Sequence, residues 1–144
     1  MPMIDVTAPK GALSPPVRDK LVKQLTDCLL KWEGAPEGSQ AAQEIAWVYV
    51  HEAQEGTFYV GGRNPERPRF RIQVTTPEGG LDDERRAGLV EDISGIVEAV
   101  IGPAGSGLNH WVLLSEIKDG SWGAGGRIFR HADIKAVVRT GNPA

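Results

Sequence analysis

The sequence is short of cysteine and of long apolar runs, and each shortage excludes a class of protein. Cys28 is the only cysteine in 144 residues, so no internal disulfide can form. Its apolar neighbours in a helical pattern indicate a buried structural thiol, which fits a reducing compartment and a cytoplasmic location. No apolar run approaches the roughly 20 residues of a membrane span. The N-terminus also lacks the basic and apolar regions of a signal peptide.

Positive charge is not in excess. The formal net charge of -3 at pH 7 gives no electrostatic reason to expect a nucleic-acid partner. Arg63, Arg67, Arg69 and Arg71 do lie close together. They either face a phosphate or a carboxylate, or they are solvated charges at a strand edge, and the sequence leaves both interpretations open.

Motifs for binding metals or phosphates are missing as well. His51, His110 and His131 are scattered without the spacing of metal ligands. Gly105-Ser106-Gly107 lacks the Lys-Ser or Lys-Thr of a phosphate-binding loop, and it follows a predicted helix. We therefore expect no metal and no cofactor.

The most informative feature that is present is an internal repeat. Residues 3–34 align with residues 71–102 without a gap and share ten identities, from Ile4 with Ile72 to Gly34 with Gly102. A second block, residues 47–63, aligns in the same way with residues 111–127. The order and spacing of both blocks indicate duplication of one unit.

Each copy has the same predicted elements. Alternating apolar residues over 3–6 and 70–74 predict a strand with one buried face. Ser14 and Asp82 are the predicted N-caps of two amphipathic helices that end near Gly34 and Gly102. A second strand begins at Trp47 in one copy and Trp111 in the other, and a polar loop around 36–43 is the main insertion in copy one.

These elements predict an α/β (α+β) fold made of a duplicated β-α-β unit. A right-handed crossover in each copy gives a four-stranded mixed sheet with two helices on one face. The other face would be apolar and exposed, which favours oligomerisation. We expect one domain over 1–144, with repeats at 2–65 and 69–130 and a tail at 131–144. A short strand or helix is predicted at 134–138.

Several motifs carry a resemblance to the tautomerase superfamily. N-terminal Met-Pro precedes a strand, and Ser14-Pro15 stands at a helix start. Residues 115–126 look like the hairpin region of 4-oxalocrotonate tautomerase. Residues 13–15, 25–28 and 57–62 are more similar to the cis-3-chloroacrylic acid dehalogenase group. The resemblance implies a cyclic homotrimer whose three sheets form a barrel.

The resemblance implies that Pro2 is a catalytic acid/base once Met1 is removed. The new terminus is a secondary amine, and an apolar pocket lowers the pKa of an amine because burial disfavours its charged form. Such a base can move a proton next to a carbonyl. Phe70 holds the position of Pro2 in copy two and is internal, so one catalytic amine per chain is expected.

The resemblance also assigns residues for substrate binding. A hairpin aromatic and a strand residue from each copy would shape the pocket. A cation after the first strand or in either hairpin would hold a substrate carboxylate. These candidates are Tyr49, Phe58, Leu113, Trp122, Lys10, Arg63 and Arg127.

Other residues of the family are absent. 4-Oxalocrotonate tautomerases carry arginines near the first helix start and at the start of the second strand, where this chain has Leu13 and Trp47 or Trp111. The dehalogenase group uses arginines, a histidine and a glutamate. These would fall at or near Glu78, Leu81, Leu29 and Gly123.

The leading hypothesis is therefore a cofactor-independent tautomerase that acts on a small 2-oxo or enol acid. The missing arginines and glutamate disfavour the first alternative, a hydratase or dehalogenase-like lyase. A second alternative is a non-enzymatic trimeric binding protein with residual tautomerase activity.

Overall fold

The computed structural model describes residues 2–103 and 108–140. Met1, residues 104–107 and the last four residues of the tail therefore lie outside the described part, and the interpretation of Gly105-Ser106-Gly107 as a loop falls on these residues. The secondary structure follows the chain in this order: β1 (Met3–Pro9), α1 (Pro15–Trp32), α2 (Gln40–Glu44), β2 (Trp47–Ala53), β3 (Phe70–Pro77), α3 (Asp83–Ile101), β4 (His110–Ile117), β5 (Trp122–Ala124), β6 (Arg127–Phe129) and α4 (His131–Thr140).

The main sheet has four strands in the order β2-β1-β3-β4. β1 pairs in parallel with β2, β3 pairs in parallel with β4, and the central β1–β3 pair is antiparallel. The duplicated β-α-β architecture with a mixed sheet is thus confirmed. Because β1 and β3 are antiparallel, the start of β1 lies beside the end of β3. The two ends of the sheet therefore hold equivalent positions of the two repeats.

The core lies between the sheet and the helices α1 and α3. Ile4 and Val6 of β1 and Ile72 and Val74 of β3 point to the helix side and are almost completely buried. The buried helix residues recur at the spacing of one helix face, and they are Leu21, Leu25, Leu29, Leu89, Ile93 and Val97.

Cys28 belongs to this core, as the sequence predicts. Burial raises the pKa of its thiol to about 11. The nucleophilic thiolate is therefore scarce at neutral pH, which fits a structural role.

The large exposed apolar side chains on the outer face of the sheet belong to its edge strands. Trp47 and Tyr49 on β2 and Trp111 and Leu113 on β4 are exposed. The central strands carry polar side chains there because their outward positions hold Asp5, Thr7, Arg71 and Gln73. An Asp5–His51 contact of 2.6 Å and an Arg71–Thr7 bond of 3.3 Å cross this face.

Two short helices lie outside the repeated frame. The segment expected to be a polar loop contains α2, whose N-cap Ser39 accepts a hydrogen bond from the backbone N–H of Ala42. The tail forms a helix, α4, and Val138 packs against Leu30 and Ala42. Within the described ranges, no helix is long and apolar enough to cross a membrane.

Candidate active site at the start of the first strand

Pro2 lies at the start of the central strand β1, and less than 2% of its surface is exposed. Its carbonyl oxygen accepts a hydrogen bond of 3.2 Å from the backbone N–H of Trp47. Because Met3 pairs with Thr75, Pro2 is level with Thr76 near the end of β3. The residue is therefore held by sheet pairing in a position that is shielded from water.

Glu33 is an ionisable group at the same end of the sheet. It is the C-cap residue of α1, and Gly34 follows with a φ of 79°. Burial raises the pKa of Glu33 from 4.5 to about 7. A carboxyl group with that pKa exchanges protons at neutral pH.

A basic cleft of about 110 Å³ opens beside Glu33. Its wall includes Pro77 at the end of β3, which places the cleft at the Pro2 end of the sheet. Arg85 in the first turn of α3 and Lys135 and Arg139 on α4 also line it. These cations outnumber the Glu33 carboxylate, so the basic cleft attracts anions.

The helix α4 is fixed at both of its ends. The Asp119 carboxylate accepts a hydrogen bond of 2.8 Å from the backbone N–H of His131, which holds the pKa of Asp119 below its usual value. At the other end, the Ser39 hydroxyl donates to the carbonyl oxygen of Val138 at 3.3 Å. Lys135 and Arg139 therefore sit on an anchored helix.

Two of the predicted substrate-binding residues lie at the Pro2 end. Trp122 and Arg127 belong to the β5–β6 hairpin, which follows the end of β4. Trp122 is half-buried opposite Phe129. The Arg127 guanidinium lies 4.6 Å from the centre of the Phe129 ring. Neither residue is among those lining the basic cleft.

Three other candidates lie at the opposite end of the sheet. Lys10 follows the end of β1, where its backbone N–H donates to the carbonyl oxygen of Ala53. Phe58 and Arg63 are in the loop after β2. The length of β1 separates this end from Pro2 by roughly 25 Å, at about 3.3 Å per residue. Within one chain, the structure does not bring these three residues to Pro2.

Tyr49 and Leu113 lie on the outer face in one row across the sheet. The register places Asp5 and Gln73 between them. Three strand spacings of about 4.8 Å separate them by roughly 14 Å. They therefore do not line a common pocket within one chain.

The residues of the basic cleft were missed by the sequence reasoning. The sequence of α4 does contain a signal for a basic surface, because Lys135 and Arg139 are four residues apart and therefore share a helix face. Glu33 has no such signal, since its raised pKa depends on how the end of α1 packs. No cluster of His, Cys, Asp and Glu suited to a metal occurs in the residues that the structure describes.

Comparison with known proteins gives a consistent result. No family model and no curated protein matches the chain. Among solved structures, Pt0534 inactivated by 2-oxo-3-pentynoate is 24% identical with a TM-score of 0.72, over 88% of this chain and 94% of that chain. The Q0 fused 4-OT symmetric trimer is 20% identical with a TM-score of 0.68, over 85% and 91%. N1, a member of the cis-3-chloroacrylic acid dehalogenase family, is 18% identical with a TM-score of 0.72, over 88% and 82%.

The chain has the tautomerase superfamily fold. At these identities the likeness establishes the architecture, and any chemistry has to be argued from the residues. In this fold, the two ends of the sheet differ in the residue found at the start of each central strand. Pro2 opens β1 at one end, and Phe70 opens β3 at the other.

Proposed function

We propose that the chain is a cofactor-independent tautomerase that interconverts keto and enol forms of a small 2-oxo acid. Pro2 serves as its general acid/base. The observation that carries the proposal is the complete burial of Pro2 at the start of a central strand in this fold. A secondary amine at that position is shielded from the water that stabilises its charged form.

The proposed reaction needs a mature chain that begins at Pro2. The neutral amine then accepts a proton from the carbon next to the substrate carbonyl, the C–H electron pair forms the C=C bond, and the carbonyl π pair moves to the oxygen, which takes up a proton from a neighbouring acid to give the enol. In the reverse direction the ammonium returns the proton to that carbon. Burial lowers the pKa of the amine toward neutrality, where both directions are efficient.

We assign the remaining functions of the proposed site to the basic cleft, which lies at the same end of the sheet but does not include Pro2 in its wall. Arg85, Lys135 and Arg139 attract the carboxylate of the substrate through charge-assisted hydrogen bonds. Glu33, with its pKa of about 7, is protonated in a large fraction of molecules at neutral pH. In that form it donates a hydrogen bond to the oxygen of the forming enol.

We further propose a cyclic homotrimer in a soluble, cytoplasmic protein. The support is the Q0 fused 4-OT relative, which is a symmetric trimer, and the exposed aromatic residues on the edge strands. In such an assembly, Lys10, Phe58 and Arg63 would serve the Pro2 site only from a neighbouring protomer.

A hydratase or lyase on the same frame is a second candidate. Such chemistry needs a carboxylate that activates water, and the positions expected from the dehalogenase group do not supply one. Glu33 offers a carboxyl group of suitable pKa at the Pro2 end. Halide release from 3-haloacrylates, lost in Glu33→Gln, would favour this reaction over tautomerisation.

The test of the proposed function combines intact mass with kinetics. We expect the purified protein to lack Met1 and to convert phenylenolpyruvate to its keto form. Pro2→Ala should reduce kcat/KM by about 10²–10⁴-fold, the usual contribution of a positioned acid/base. Pro16→Ala is the matched control, because Pro16 is an exposed proline in the first turn of α1. Retained Met1, or full activity in Pro2→Ala, would overturn the proposal.

A further inference from the structure

A larger cavity, of about 580 Å³, lies at the end of the sheet opposite to Pro2. We call it the Phe70 cavity. Its wall includes Phe58 and Tyr59 from the loop after β2, Arg69, Phe70 and Arg71 at the start of β3, and Trp111 on β4. The volume falls within the roughly 300–1,000 Å³ of typical small-molecule sites.

The Phe70 cavity is the counterpart of the Pro2 site in the second repeat. Phe70 opens β3 as Pro2 opens β1, and its side chain is only 3% exposed. Its backbone N–H is an internal amide and donates to the carbonyl oxygen of Asn109 at 2.8 Å. An amide nitrogen is not a base, so this cavity cannot perform the amine chemistry proposed for Pro2.

The cavity carries positive charge without acidic residues in its wall. Arg69 and Arg71 line it, and none of its lining residues is Asp or Glu. In the part of the chain that the structure describes, neither arginine has a carboxylate within 4.0 Å. Arg71 donates to the Thr7 hydroxyl at 3.3 Å, and Arg69 donates to the carbonyl oxygens of Arg67 and Pro68. Because a guanidinium has five N–H donors, both can still bind an anion.

The rest of the wall is mainly apolar, and four of its ten residues are aromatic. The aromatic lining residues are Phe58, Tyr59, Phe70 and Trp111. Phe70 is almost completely buried, whereas 64% of the Trp111 surface is exposed in a single chain. Aromatic walls favour planar apolar groups through offset or edge-to-face contacts. A ligand that satisfies both features has an aromatic body and one carboxylate.

We propose that the Phe70 cavity binds small aromatic monocarboxylates without turning them over. The inference does not depend on catalysis by Pro2, since none of its supporting contacts involves the amine. The cavity would give each chain a binding site in addition to its proposed catalytic site.

The test is a calorimetric titration of the full chain with phenylacetate at low salt. We expect a saturable site that is unchanged in Pro2→Ala. Arg71→Gln and Trp111→Ala should each weaken binding about tenfold or more, because each removes a principal contact. Lys20→Gln, which removes a charge from an exposed position of α1, is the control and should bind normally.

Two analogues of phenylacetate and one variant of the basic cleft test where phenylacetate binds. 2-Phenylethanol lacks the carboxylate and acetate lacks the ring, so both should bind at least about tenfold more weakly than phenylacetate. Arg85→Gln should leave the saturable site that depends on Arg71 unchanged. Three results would overturn the inference. The first is the absence of saturable binding, and the second is binding that is lost in Arg85→Gln but kept in Arg71→Gln. The third is a Trp111→Ala variant whose oligomer dissociates while its affinity for phenylacetate stays unchanged.

Discussion

The two ends of the sheet are built from the same repeat but have become different surfaces. At the Pro2 end, α4 and the β5–β6 hairpin follow the end of β4, the basic cleft measures about 110 Å³, and a second cavity beside Thr76 and Glu116 measures about 300 Å³. At the Phe70 end, the cavity measures about 580 Å³. The difference indicates that α4, which lies beyond the repeated frame, can specialise one end while the common core is kept.

The helix pair shows the same asymmetry at one contact. Trp32 on α1 packs directly over Gly88 on α3, and its indole N–H donates to Asp92 at 2.8 Å. The aligned residues of the other copy are Val100 and Lys20. A large ring over a glycine therefore belongs to the Pro2 end alone, next to Glu33.

Glu33→Gln should have the largest effect on stability. Folding raises the pKa of Glu33 from 4.5 to about 7, so the folded state binds more protons than the unfolded state between those values. The stability of the wild type therefore falls as pH rises from 4.5 to 7 and is level above that. Glutamine removes this loss, so the variant should gain up to about 3 kcal/mol over the wild type at high pH.

Urea denaturation of both proteins at about pH 4 and about pH 8 measures this difference. The curves should coincide at the lower pH and separate at the higher one. Glu37→Gln is the control, because Glu37 is exposed in the following loop. Equal wild-type and Glu33→Gln stabilities at both pH values would mean that Glu33 is solvated, and the Pro2 end would lose its neutral-pH acid.

Gly88→Ala tests the contact between the two helices. A Cβ atom on Gly88 would lie 2.2 Å from the Trp32 ring, which is far closer than atoms can approach. The ring must move and its bond to Asp92 weakens, at a cost of about 1–3 kcal/mol. Gly95 on the same helix has no atoms within 4 Å of an added Cβ. Gly95→Ala should therefore stabilise the protein by up to about 1 kcal/mol, as helix propensity alone predicts.

Thermal or urea unfolding of the two variants separates the effect of side-chain packing on stability from the effect of helix propensity. Opposite signs for Gly88→Ala and Gly95→Ala support the close contact with Trp32. If both alanines stabilise the protein equally, the ring is free to move aside and the Pro2 end is packed no more tightly than its counterpart.

The architecture was predictable because its signals are local. Alternation over residues 3–6 and 70–74 and the apolar spacing of α1 and α3 are set by residues near in sequence. The repeat also predicted which strands pair within each copy, and both parallel pairs have the predicted partners. The helix α2 was missed because its sequence is polar and its start depends on a single capping serine.

The candidate site was less predictable because its parts come together through tertiary packing. Pro2 was identified by its place in the sequence and by resemblance, and its catalytic role stays a prediction. The basic cleft combines the end of α1, the start of α3 and a tail helix, and no local pattern joins these segments. Lys10 and Phe58 were grouped with Pro2 by resemblance, whereas strand direction places them at the other end.

The smallest of the three effects concerns the N-caps of the two long helices, which occupy aligned positions. The Asp82 carboxylate accepts a hydrogen bond of 2.8 Å from the backbone N–H of Arg85, whereas the Ser14 side chain makes no capping bond. Pro15 and Pro16 follow Ser14 and have no N–H to donate. Asp82→Ala should therefore cost about 1 kcal/mol and Ser14→Ala only about a few tenths, as measured by urea denaturation. Equal costs would mean that Ser14 also caps its helix in solution, and the two repeats would then begin their helices in the same way.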